Sequence, residues 1–86
     1  SVCDHIRIWH DQVAIQRINP NGETHHWLAN PQWIKLHMAD TPTHENYLTA
    51  TGGGREIEIG GFLTADERSN LHYELRQALR RAKASP

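Results

Sequence analysis

The stretch that decides the fold is "GGFLTADERSNLHYELRQALRRA", residues 60–82. Thr64 and Glu67 are three residues apart, the spacing of a capping box, in which each side chain bonds a backbone N–H of the first helical turn. Acidic residues occupy the first turn and basic residues the last, so both ends complement the helix dipole. One apolar stripe at helical spacing predicts a helix with a single buried face; it consists of Leu71, Leu75, Ala78, Leu79 and Ala82.

Short apolar segments and turn residues alternate along the chain before this helix. Apolar residues recur there at period two, which is typical of strands with one buried face. Turns are predicted at Asn21-Gly22, at Asn30-Pro31 and at Gly52-Gly53-Gly54. Connections this short favour antiparallel pairing. We predict about six strands, at residues 5–9, 13–18, 24–29, 32–38, 47–51 and 55–59.

An antiparallel meander of this size leaves an apolar face exposed, and a helix with one apolar stripe is its natural cover. The predicted fold class is therefore α+β: about six strands in a twisted or partly closed antiparallel meander, covered by one C-terminal helix. The predicted core contains Ile6, Ile8, Val13, Ile15, Leu28, Ile34, Leu36, Leu48, Ile57, Ile59, Phe62, Leu71, Leu75 and Leu79.

The composition disfavours several classes of protein. The chain of 86 residues is long enough for one small domain. Nine Lys and Arg against ten Asp and Glu give no basic excess, which disfavours a dedicated DNA-binding domain. Cys3 is the single cysteine, so no internal disulfide forms and a reducing compartment is favoured. No apolar run approaches the roughly 18–20 residues that cross a bilayer.

No catalytic constellation is recognisable, so we predict that the chain is not an enzyme and needs no cofactor or metal. Seven histidines raise the question of a zinc site. His25 and His26 are adjacent on a predicted strand, where successive side chains point to opposite faces, and the other histidines are scattered. A metal-binding enzyme or sensor that depends on these histidines remains as an alternative.

One predicted sheet face combines aromatic and basic side chains. If the isoleucines face the core, the residues between them share the opposite face, where they are predicted to bind a partner protein or a lipid headgroup layer. Stacking of single-stranded nucleic acid on the same aromatic residues is an alternative. Burial of the tryptophans in the seams of a strongly twisted sheet is another. The candidate residues are Arg7, Trp9, Trp33, Lys35, His37 and Tyr47.

Two segments carry a family resemblance: "NPQWIKL" at 30–36 and "IEIGGFLTADERSNLHYELRQAL" at 57–79. Through them the chain resembles a bacterial family of integral membrane proteins catalogued as domain of unknown function 2244. The first segment is similar to the family's Asn-Pro, aromatic, Val/Ile pattern. The second is similar to its Gly-x-Phe-Leu and Glu-Arg pattern, which leads into a leucine-rich helix. The resemblance carries over no catalytic residue, because the family has no agreed activity.

The resemblance implies that residues 1–86 are a single soluble domain, the C-terminal part of a longer protein with two membrane helices upstream. The first residue, Ser1, agrees with this expectation because it is not a methionine. The implied location is the bacterial inner membrane, with the domain on the cytoplasmic side. A run of strands closed by a helix is pleckstrin-homology-like in outline. Because no site chemistry is recognisable, the charge is near neutral and the resemblance implies membrane attachment, the leading prediction is non-catalytic binding of a protein or lipid partner, with nucleic acid disfavoured.

Overall fold

The computed structural model describes residues 3–84. Within them it has six strands, one short 3-10 helix and one α-helix. The strands are β1 (Cys3–Ile8), β2 (Val13–Ile18), β3 (Thr24–Ala29), β4 (Lys35–Ala39), β5 (Tyr47–Gly53) and β6 (Arg55–Glu58). The 3-10 helix is Pro31–Trp33 and the α-helix, α1, is Ala65–Ala84.

The strands form two antiparallel three-stranded sheets, and these do not close into a barrel. The first sheet has the order β1-β2-β3 and the second β4-β5-β6. The α+β class and the meander order are confirmed, but the meander is divided in the middle. The division falls at Asn30 and Pro31, where the Asn30 side chain accepts a hydrogen bond of 2.9 Å from the Gln32 N–H. Pro31 has no N–H to continue a ladder, so the chain turns into the 3-10 helix.

The inner faces of both sheets and one face of α1 form a single core. Cross-strand register places Ile6 opposite Ile15 in the first sheet and Leu36 opposite Ala50 in the second. Burial of this apolar surface is the main force that holds the sheets and the helix together. The buried core residues are Val13, Ile15, Trp27, Ile34, Leu48, Ala50, Ile59, Leu75 and Leu79.

Two predicted core residues are wrong: Leu28 is 53% exposed and Phe62 is 51% exposed. In β3 the register pairs Ile15 with Trp27, so the tryptophan takes the inner face and Leu28, one residue on, takes the outer face. Phe62 lies in the corner between β6 and α1, where the Leu63 N–H bonds the Gly60 carbonyl and the chain turns outward.

Trp27 is the inner residue that the sequence analysis missed. Its ring is 3% exposed, and its indole N–H donates a hydrogen bond of 2.8 Å to the Arg55 carbonyl. Gly53 makes room for the ring, because a Cβ at that position would lie 2.5 Å from Trp27 Cε2. The ring therefore joins the first sheet to the second.

The predicted capping box is confirmed at the start of α1. The Thr64 N–H donates to Glu67 Oε1 at 2.9 Å, and the Glu67 N–H donates to Thr64 Oγ1 at 3.1 Å. Hydrogen bonding from the Thr64 backbone lowers the pKa of the Glu67 carboxyl. The apolar stripe is buried at Leu75, Leu79 and Ala82, as predicted.

Arg68 is a buried cation that also holds the start of α1 in place. It is 7% exposed, and its guanidinium donates hydrogen bonds to four backbone carbonyls. Two of them belong to Glu45 and Asn46 in the loop before β5, and two belong to Gly60 and Leu63 in the corner after β6. Arg68 thus joins two segments that are distant in sequence.

Candidate functional site: an aromatic and basic end of the domain

Two exposed tryptophans lie at the same end of the domain. The register Ile8–Val13–Ala29 places the end of β1 beside the end of β3. Trp9 follows β1 directly, and the 3-10 helix that ends with Trp33 follows β3. Trp9 is 46% exposed and Trp33 is 71% exposed. The structure therefore brings these two predicted residues to one end and leaves both accessible.

The C-terminal half of α1 extends to this end, where it lines a groove with Trp9, and α1 also contacts the 3-10 helix that ends with Trp33. The groove beside Trp9 is lined by Ile8, Trp9, His10, Ala78, Arg81 and Ala82. A groove on the other flank of α1 is lined by Ile34, Leu36, Arg76, Leu79, Arg80 and Lys83. We call this region the aromatic–basic end; it consists of Trp9, Trp33, Arg76, Arg80, Arg81 and Lys83.

Backbone contacts fix the position of Trp33. Pro31, at the start of the 3-10 helix, is fully buried. The Trp33 carbonyl packs against Gly52, where a Cβ would lie only 2.3 Å from that oxygen. Gly52 also has a φ of +110°, which L-residues rarely adopt. The backbone around Trp33 is therefore tightly held while its indole extends into solvent.

Charge is unevenly distributed along the molecule, although the formal net charge is only −1. Asp66 and Glu67 occupy the first turn of α1, and the Arg68 and Asn46 hydrogen bonds hold the loop with Asp40 and Glu45 beside that turn. The aromatic–basic end lies at the other end of the helix. Two acidic residues of the described part of the chain lie near it: Asp11 in the β1–β2 turn, 3.9 Å from His10, and Glu74, which lines a groove with Arg81.

The other four predicted residues are divided between two surfaces. Arg7 lies on the outer face of the first sheet, opposite Ala14. Lys35, His37 and Tyr47 lie on the outer face of the second sheet, where Lys35 pairs with Thr51, His37 with Thr49, and Ala39 with Tyr47. Lys35 is close in sequence to Trp33, whereas Tyr47 lies at the far end of β5 with its ring 5.7 Å from that of His44. The six residues do not form one continuous face.

A wide groove lies between β1 and α1. Its volume is about 730 Å³, its floor is formed by Ile6, Ile8, Leu71 and Leu75, and its rim carries Glu74 and Arg81. Among residues 3–84, β1 is an edge strand of its sheet, and this groove runs beside it. The groove continues into the groove beside Trp9, because Ile8, Ala78 and Arg81 line both.

An ion pair that the sequence analysis missed closes the opposite end of the core. Arg17 donates to both Asp4 carboxylate oxygens, at 2.8 and 3.0 Å, and to the Glu58 carbonyl at 2.7 Å. The hydrogen bond with Asp4 raises the pKa of the Arg17 guanidinium. Side chains alternate along a strand, so Asp4 lies on the same face of β1 as Ile6, and its inward position could have been predicted. The hairpin register then pairs Asp4 with Arg17.

The histidines are mostly dispersed over the surface. His5 Nε2 lies 3.6 Å from Cys3 Sγ, and His25 Nε2 lies 3.3 Å from Glu23 Oε1. Burial, with a smaller contribution from the nearby Arg76, lowers the pKa of His72. In the range 3–84 no three or more His, Cys, Asp or Glu side chains converge in a way that would hold a metal ion.

Comparison with known proteins identifies a family. The family described as integral membrane protein, DUF2244, matches residues 1–79. The chain belongs to this family. No curated protein matches the chain, and no solved structure matches it. For this DUF2244 chain the pleckstrin-homology comparison therefore rests on outline alone.

The structure gives physical roles to two residues of the DUF2244 resemblance. Glu67 is the return half of the capping box, and Arg68 binds the four backbone carbonyls described above. Trp33, in the other segment, is exposed. Within residues 3–84 of this DUF2244 chain, no helix has the length and apolar character needed to cross a membrane.

Proposed function

We propose that this DUF2244 domain is a non-catalytic binding domain of a bacterial inner-membrane protein. In this proposal the aromatic–basic end binds a protein or lipid partner, and the domain lies on the cytoplasmic side. Membership of an integral membrane protein family supports the membrane location. The single cysteine, exposed and unpaired, supports the reducing side of that membrane.

The observation that carries the proposal is the exposure of Trp9 and Trp33 beside the basic half of α1. The core already contains one tryptophan, Trp27, whose indole N–H is bonded. Trp9 and Trp33 are not buried in the core, and each exposes a large apolar ring to water. Tryptophan and arginine are the residues most enriched where binding energy concentrates at interfaces.

None of the three clear pKa shifts in residues 3–84 points to a catalytic group. Catalytic groups with shifted pKa values usually gather in one cleft. Here the Arg17 pKa is raised by an ion pair, the Glu67 pKa is lowered by a helix cap, and the His72 pKa is lowered by burial. Each shift has a structural cause, and the three residues lie in different parts of the fold.

The test is site-specific photo-crosslinking in native membranes. Trp33 is replaced by benzoylphenylalanine in the full-length protein, and the control places the same residue at Phe62. Phe62 is also an exposed aromatic, but it lies before α1, at the end opposite to the aromatic–basic end. We expect irradiation to give a discrete protein or lipid adduct from position 33 and none from position 62. Equal yields from both positions, or none from position 33, would contradict the proposal.

A further inference from the structure

We infer that the aromatic–basic end binds the anionic surface of a lipid bilayer. This inference rests on the proposed function and specifies its partner as anionic lipid headgroups rather than a protein. The basic side chains pair with phosphate-bearing headgroups, and the indole rings lie at the boundary between the headgroups and the acyl chains. Tryptophan is enriched at that boundary, and each Lys or Arg near an anionic surface adds favourable energy.

The C-terminal half of α1 carries more basic residues than are needed to complement the helix dipole. Cations in the last turn stabilise a helix by complementing its dipole, and Arg81 and Lys83 are in that turn. Arg76 and Arg80 lie further back, where the dipole effect has largely decayed. Their side chains share a flank with Lys83, since all three line the groove beside β4. Three cations in a row along one flank of α1 suit a partner surface that is anionic over a wide area.

The two indoles are placed to enter the same surface. Trp9 lines the groove on one flank of the C-terminal half of α1. Trp33 ends the 3-10 helix that contacts α1, and it directly precedes Ile34, which lines the groove on the other flank. Aromatic residues beside basic ones are the arrangement expected at an anionic membrane surface.

The rest of the charge distribution orients the domain. The acidic residues Asp66 and Glu67, with the loop that carries Asp40 and Glu45, lie at the N-terminal end of α1. An anionic bilayer repels that end and attracts the other. Two carboxylates of the described residues lie near the aromatic–basic end: Asp11, which is 3.9 Å from His10, and Glu74, which lines a groove with Arg81. The electrostatic field therefore favours one orientation even though the net charge is −1.

The experiment measures binding of the 86-residue chain to vesicles by co-sedimentation. Vesicles of phosphatidylglycerol mixed with phosphatidylcholine are compared with vesicles of phosphatidylcholine alone, at low and at high salt. We expect binding to the anionic vesicles that weakens with salt. Lys83→Gln should weaken it about five-fold, the effect of one basic residue near such a surface. Arg55→Gln removes the same charge from the groove that Arg55 shares with Arg17 and His25, and should change binding less than about two-fold.

An aromatic pair of variants completes the design. Trp33→Ala should weaken binding several-fold, whereas Phe62→Ala should leave it unchanged, although both side chains are exposed. Far-ultraviolet circular dichroism of each variant establishes that the fold is retained.

Each of the following outcomes contradicts the inference that the aromatic–basic end binds an anionic bilayer. Equal binding to both kinds of vesicle, or equal losses for Lys83→Gln and Arg55→Gln, contradicts it. Tighter binding to an oligothymidylate strand than to anionic vesicles, lost in the same variants, identifies a nucleic-acid surface instead. If vesicles do not bind but position 33 crosslinks to a protein in native membranes, the inference fails and the proposed function stands. If neither occurs, both fail.

Discussion

Replacing Arg68 with methionine is expected to lower the free energy of unfolding by about 4 kcal/mol. Arg68 is 7% exposed, and its guanidinium donates to the carbonyls of Glu45, Asn46, Gly60 and Leu63. Exchanging a buried ion pair for apolar side chains is often harmless because both charges leave together. Here the acceptors are backbone groups that remain, and methionine cannot donate to them. Unsatisfied buried acceptors cost about 1–3 kcal/mol each.

Urea unfolding followed by tryptophan fluorescence measures this effect. Arg80→Met is the matched control, since it makes the same change on the exposed side of the same helix and should cost less than about 0.5 kcal/mol. Arg68→Lys should fall between the two because one ammonium group reaches fewer of the carbonyls. A loss below about 1 kcal/mol for Arg68→Met would show that water replaces the guanidinium, and this role for Arg68 would be wrong.

Leu48→Ala is expected to destabilise the domain by about 3–4 kcal/mol. Leu48 is fully buried on β5, opposite Met38, among side chains from both sheets and α1. Truncating it loses the transfer energy of the removed atoms and leaves a cavity that this small core can fill only in part. Thermal unfolding followed by circular dichroism measures the loss.

Leu28→Ala is the control for Leu48→Ala because it removes the same atoms from a side chain that is 53% exposed. We expect it to cost less than about 1 kcal/mol. The pair also tests the register of β3, which places Trp27 inside and Leu28 outside. Similar losses for the two variants would mean that Leu28 is buried and that β3 is shifted by one residue.

The sequence predicted the helix and the strands well because their signals are local. The capping box needs only Thr64 and Glu67, and period-two alternation needs only a few adjacent residues. The choice between Trp27 and Leu28 is not local. Both are apolar and adjacent, and the pairing of β3 with β2 decides which one turns inward.

The division of the meander into two sheets was only partly predictable. Asn30-Pro31 was recognised as a break, but a break does not say whether β4 continues the same sheet. The contacts of the 3-10 helix with α1 and of Trp33 with Gly52 decide that, and they join residues distant in sequence. Arg68 is similar: the helical pattern marks it as polar, whereas its acceptors lie in two separate loops.

The candidate site was predicted in part. Trp9 and Trp33 were singled out, and the structure places both at one exposed end. Arg7 and Tyr47 were assigned to the same face, but they lie on the outer faces of different sheets. The basic residues of α1 were interpreted as a solvated helix end because the sequence does not show that the helix lines a groove with Trp9 and contacts the 3-10 helix that ends with Trp33. That proximity results from tertiary packing.

Membrane attachment is the central claim of this account, because the binding role and the lipid inference both depend on it. The most direct measurement is fractionation of the native full-length protein, detected with an antibody against this domain, after an alkaline wash of the membranes. The account predicts that the domain stays in the washed membrane pellet, as expected for a chain of an integral membrane protein family. Recovery of the full-length protein in the soluble fraction would contradict it.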